Sequence, residues 1–81
     1  MGRSPREKPK KLSAKLLKVR RHLGFSQTQM CKALDLKVHY AAISQFEAGT
    51  REPSLIVVMR YARLARVPME TLVDDEMKLP K

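Results

Sequence analysis

The sequence predicts an all-α domain, a compact bundle of about five short helices. Three observations carry that reading. Apolar residues recur at three- and four-residue spacing through successive segments, residues that start or stop helices stand between those segments, and no stretch alternates with period two for long enough to argue for a strand.

The elements follow in chain order. The first helix is expected over 13–23, with Ser13 as its N-cap. Leu12, Leu16, Val19 and Leu23 form its apolar stripe, Lys15, Lys18 and Arg21 point outward, and Gly24 stops it. Ser26 caps the second helix, 27–34, and Gln29 stands where it can reach back to the cap. Phe25 and Met30 supply the hydrophobic staple, and Met30, Cys31 and Leu34 share one face. A polar turn leads to a third helix over 40–48, where Ile43 and Phe46 face the core and Gly49 provides the left-handed stop. Ser54, after Pro53, caps a fourth helix whose buried stripe is Leu55, Val58, Met59, Ala62 and Ala65, with Arg66 in the usual place of a terminating glycine. Pro68 opens a short fifth helix over 69–73, its N-terminal end complemented by Glu70.

Length and charge bound the function. A chain of 81 residues holds one domain. At that size roughly 60% of the unfolded surface is buried, so the core is economical and dimerisation adds stability. The net charge of +9 points to a polyanionic partner, nucleic acid or an anionic membrane surface. The longest apolar run, 55–59, is too short to span a bilayer, and no signal peptide or complete myristoylation motif is present, so a cytoplasmic protein with no membrane association is expected. The single Cys31 sits on the apolar face of its helix, where core packing is favoured over redox chemistry.

Residues 1–11 carry Arg3, Arg6, Lys8, Lys10 and Lys11 against Glu7 alone, with Pro5 and Pro9 and no apolar periodicity, and are expected to form a disordered basic arm. Such an arm tracks phosphates or enters a minor groove; the alternatives are a solvated tail or a targeting signal. Residues 12–73 form the folded domain and 74–81 a short acidic and apolar tail.

The stretch from Phe25 to Ser54 is two short amphipathic helices around a tight polar turn, the order in which proteins insert a helix into DNA. Together with Arg20 before Gly24, Ser26-Gln27, Ile43-Ser44-Gln45-Phe46-Glu47, Gly49, Arg51 and Pro53-Ser54, it resembles the Cro and phage-repressor type of helix-turn-helix proteins (XRE-like, lambda-repressor-like). The resemblance covers residues 12–73, and it departs from the family at Asp35, where glycine is usual, and in a turn about two residues longer than usual. It implies a sequence-specific, double-stranded DNA-binding regulator, a repressor or an activator, acting as a homodimer on a near-palindromic site, in a bacterial or phage-type cytoplasm.

The start of the second motif helix would meet base edges with His39, Tyr40, Ala41, Ala42 and Gln45; His39 and Lys37 are expected on the DNA backbone. The resemblance implies base contacts from Tyr40, Ala41 and Gln45, phosphate contacts from Gln27, Thr50 and Arg51, and an interior ion pair between Arg20 and Glu47. Leu72, Val73, Met77 and Leu79 are more apolar than a short final helix and tail can bury, and are expected to form a dimer interface.

No catalytic constellation is found. His22 and His39 lie far apart without metal-ligand partners, the glycines are scattered, and Asp74, Asp75 and Glu76 suit a solvated end, so no enzyme activity, metal or cofactor is expected. The rival to a regulator is an antitoxin-like or accessory module that binds a protein partner, with DNA binding secondary; non-specific packaging of nucleic acid is a third reading.

Overall fold

The computed structural model describes residues 10–37 and 40–79. It contains five helices: α1 Leu12–Leu23, α2 Gln27–Ala33, α3 Ala41–Ala48, α4 Leu55–Ala65 and α5 Met69–Val73. No strand occurs among the described residues, and no helix among them is long and apolar enough to cross a membrane. The expected arm residues Arg3, Arg6 and Lys8, and His39 in the turn, lie outside the described residues.

The helix boundaries follow from local chemistry. Ser26 caps α2 by accepting the Gln29 amide at 3.1 Å, while the Gln29 side chain accepts the Ser26 amide at 2.7 Å. The Ser54 hydroxyl accepts the Val57 amide at the start of α4. Four helices then close in the same way. The residue after the last turn takes a left-handed conformation, its amide and the next one turning back onto carbonyls of that turn: Gly24 and Phe25 for α1, Asp35 and Leu36 for α2, Gly49 and Thr50 for α3, Arg66 and Val67 for α4. Phe25, Leu36 and Val67 at the second of these positions pack back on the core.

α1 lies across the bundle and touches α3, α4 and α5; α2 packs on α3, and α5 packs on α4. The core is Leu12, Leu16, Val19, Met30, Cys31, Leu34, Ala42, Ile43, Phe46, Val57, Val58, Tyr61, Ala62 and Leu72. Arg60 reaches from α4 to the end of α2, donating from Nη1 to the carbonyls of Leu34 (2.9 Å) and Asp35 (3.1 Å). It thereby ties the start of the α2–α3 connection to the scaffold.

Five sequence expectations are corrected. Lys11, with no side-chain cap bond, occupies the N-cap of α1, and Ser13 lies inside the helix. Lys15 is not on the outer face: it is 7% exposed and its ammonium donates to the carbonyls of Thr71 and Asp74, both at 2.8 Å. A cation at the carbonyl end of α5 is favoured by the helix dipole as well as by these bonds. Leu55 is 69% exposed, because Val57, Val58, Tyr61 and Ala62 form the inward face of α4. Leu72 is fully buried in the core of its own chain and has no surface to offer a dimer partner. The acidic tail is not merely solvated, since the Asp75 carboxylate accepts the amides of Lys10 (2.9 Å) and Lys11 (3.0 Å). Those two bonds hold its pKa below the usual carboxylate value.

Glycine suits a left-handed position because it has no Cβ to meet the following carbonyl, and Arg66 (φ 59°) carries that strain without glycine's relief. Arg66→Gly is expected to stabilise the protein by about 0.5–1 kcal/mol, net of the added freedom of the unfolded chain. Gly24→Ala should cost about 1 kcal/mol. An added Cβ at Gly24 has nothing within 4 Å, so only the backbone is strained. Paired thermal melts check both signs, and a drop in midpoint for Arg66→Gly refutes the account.

Candidate nucleic-acid interface

α2 and α3 share the core through Met30, Cys31 and Leu34 on one side and Ala42, Ile43 and Phe46 on the other. With those side chains turned inward, helical periodicity leaves Ser44, Gln45 and Ala48 exposed on α3 and Ala41 half-buried. Tyr40, about half exposed, sits at the N-cap. The outward face of α3 is therefore Ala41, Ser44, Gln45 and Ala48, with Tyr40 at its N-cap.

Two residues differ from the sequence reading of this face. Ala42, expected at base edges, is 3% exposed and packs into the core, because it lies one position before Ile43 on the inward side. Ser44, which sequence reasoning passed over, stands on the outer face. Its signal was present in the spacing: with Ile43 and Phe46 inward, the intervening pair Ser44-Gln45 must face away.

Flanking groups are held at both ends of the pair. Gln27 opens α2, half-buried, and its Nε2 donates to Glu47 Oε1 at 3.3 Å. Thr50 and Arg51 follow α3, both exposed, and their amides converge on the Gln45 carbonyl (3.1 and 3.3 Å). The Arg51 guanidinium lies 5.7 Å from the centre of the Phe46 ring. Lys37, in the turn, is exposed.

The orientation of α3 against α1 rests on an ion pair. Arg20 Nε donates to Glu47 Oε2 at 2.6 Å and Nη2 to Oε1 at 3.0 Å, a two-pronged arrangement, while Nη1 donates to the Phe25 carbonyl at 2.9 Å. The two side chains are only 17% and 7% exposed. The Glu47 carboxylate raises the Arg20 pKa, against the opposing effect of burial. Tyr61, fully buried, has its phenol pushed up by burial first and by the Glu47 charge second, and its hydroxyl has no hydrogen-bond partner among the described residues.

Removing one partner leaves the other charged and poorly solvated. Glu47→Ala is expected to cost about 3 kcal/mol, whereas Arg20→Met combined with Glu47→Leu recovers most of that loss. Chemical denaturation of the two variants checks this; equal destabilisation would show that the pair is not an interior one.

His22 is exposed, Cys31 is buried, and among the described residues no three His, Cys, Asp or Glu side chains gather where they could hold a metal ion.

Comparison with known proteins agrees with this geometry. A family model described as Helix-turn-helix matches residues 16–72, which takes in most of α1 and the whole of α2, α3 and α4 and ends within α5. No curated protein matches the chain. The matched span, the two-helix unit and the outward face of its second helix make this chain a member of the Cro and phage-repressor type of helix-turn-helix proteins, a family of DNA-binding regulators.

Proposed function

We propose that the chain is a sequence-specific regulator of transcription, a repressor or an activator, that binds double-stranded DNA as a homodimer on a near-palindromic site. The observation that carries this is the outward face of α3. A short row of side chains able to read base edges, Tyr40, Ala41, Ser44 and Gln45, is bracketed by backbone-binding groups, Gln27 on one side and Thr50 and Arg51 on the other. A helix presented in that way seats in the major groove, where the Gln45 amide offers a donor and an acceptor together to adenine and the Ala41 methyl meets a thymine methyl. Gln27, Lys37, Thr50 and Arg51 set register and affinity on the phosphates and carry little sequence information.

Selection from random duplex DNA tests this reading, with a defined motif as the expected result and an unenriched pool as the refuting one. Gln45→Ala should lose about 1–3 kcal/mol on the selected site and relax one position per half-site. Gln27→Ala should weaken all sequences alike. An unaltered motif from the Gln45 variant would remove α3 from its proposed place in the groove.

With Leu72 assigned to the core, the proposed dimer surface retains Val73, Met77 and Leu79, of which Met77 is exposed and the other two half-buried. A two-fold pair there would present two α3 helices to half-sites about one helical turn, roughly 34 Å, apart. One observation favours the protein-interaction reading instead: Leu55 and the adjacent Ile56 leave two large apolar side chains exposed at the start of α4. Sedimentation and titration onto single and paired half-sites separate the two. Met77→Asp is expected to give monomers without the paired-site advantage, while Ile56→Asp leaves both intact. The reverse pattern would move the interface to α4.

A further inference from the structure

The two ends of the described chain meet. Asp75 accepts the amides of Lys10 and Lys11, residues 65 and 64 positions away, and so fixes the backbone where the basic arm joins α1. The tail that carries Asp75 is itself held. Lys15, one turn into α1, binds the carbonyls of Thr71 and Asp74, and the Asp74 carboxylate accepts the Glu76 amide at 2.9 Å. α1 thus grips the tail through a buried ammonium, and the tail grips the start of α1 through a carboxylate.

This clasp lies beside the nucleic-acid interface. A groove of 270 Å³ runs between the start of α1 and the segment after α3, lined among others by Lys10, Ser13, Thr50, Arg51 and Glu52. The start of α1 therefore adjoins the segment whose Thr50 and Arg51 flank the outward face of α3.

We propose that Asp75 is a positioning residue for DNA binding: it holds the backbone of Lys10 and Lys11 at the start of α1, where their side chains meet the phosphodiester backbone flanking the major-groove site. The proposal rests on the DNA-binding reading and extends it to the C-terminal tail. A carboxylate beside a polyanion would on charge alone weaken binding. Two backbone bonds at the start of α1 act in the opposite sense, because they remove conformational freedom of Lys10 and Lys11 that DNA would otherwise have to remove. Asp75 is thus an acidic residue that strengthens binding to an acidic partner.

A double-mutant cycle in the full chain tests this. Its components are Asp75→Ala, a neutralised helix start (Lys10→Ala and Lys11→Ala together), and both combined. The probe is a mixed-sequence duplex of about 30 base pairs, three helical turns, titrated over a range of salt concentrations. Asp75→Ala alone should weaken binding and lower the salt slope by about one for each phosphate that Lys10 and Lys11 cease to neutralise. Each phosphate neutralised is equivalent to about eightfold in affinity between 1 M and 0.1 M salt. With Lys10 and Lys11 already neutralised the same substitution should change affinity less than about twofold, since the charges it positions are already gone. Asp75→Asn, which retains one carbonyl acceptor without the charge, should fall between the natural chain and Asp75→Ala, and it serves where Asp75→Ala is too unstable to assay. Equal weakening with and without the two lysines would show that Asp75 merely supports the fold, and tighter binding in both would show that it only repels DNA; either overturns the proposal. A chain that binds no duplex at all overturns the DNA-binding reading with it, whereas a chain that binds normally with an additive cycle overturns this proposal alone.

Discussion

The Arg20–Glu47 pair is the contact on which the rest of the interface depends, because α3 is too short to hold its own direction. A helix of eight residues gains little from its own hydrogen bonds and takes its stability from packing. Ala42, Ile43 and Phe46 provide that packing, but apolar contact is tolerant of small rotations. The two-pronged guanidinium–carboxylate contact is not, and it reaches three parts of the fold at once: α1 through Arg20, the entrance to α2 through the Phe25 carbonyl and Gln27, and α3 through Glu47. Arg60 performs a related task at the other end of α2. Two arginines from the long helices therefore orient the two short helices between them.

Much of the fold was legible because its helix ends are written in residues with few other uses. Ser26 with Gln29, Gly24, Gly49 and Ser54 each announce a boundary, and the structure has α2 opening and α1, α3 and α4 bounded beside them. Rotation about each helix axis was harder to read. α4 carries apolar residues at Leu55, Ile56, Val57, Val58 and Met59, so several phases fit the same stretch, and the buried one is settled by Tyr61, whose ring fills the centre of the core. α5 spans barely more than one turn, too little for periodicity to distinguish Leu72 in the core from Leu72 on the surface.

The outward face of α3 was legible in part for a similar reason. Gln45 has a side chain whose chemistry draws attention, whereas Ala42 and Ser44 are small and fit either environment, and only the packing of their neighbours assigns them to opposite sides. Lys15 is the clearest case of a residue that local pattern cannot place. Its partners are carbonyls of Thr71 and Asp74, more than fifty positions along the chain, and a lysine at that spacing on an amphipathic helix normally reaches solvent. In an 81-residue chain that must close its core economically, a buried cation on a helix end substitutes for apolar contact that the short α5 cannot supply.

The burial of Tyr61 also gives the protein optical properties that neither its charge nor its helices would suggest. The chain has two tyrosines and no tryptophan, so its ultraviolet emission comes from Tyr40 and Tyr61. Tyr61 is sealed in the core near the Arg20–Glu47 pair, and its phenol meets water only when the bundle opens. Tyr40 stands about half exposed at the start of α3, the helix proposed to enter the groove. Removing either ring would leave an intrinsic fluorophore dedicated to the other event, so that opening of the core and occupancy of α3 become separate signals in unlabelled protein.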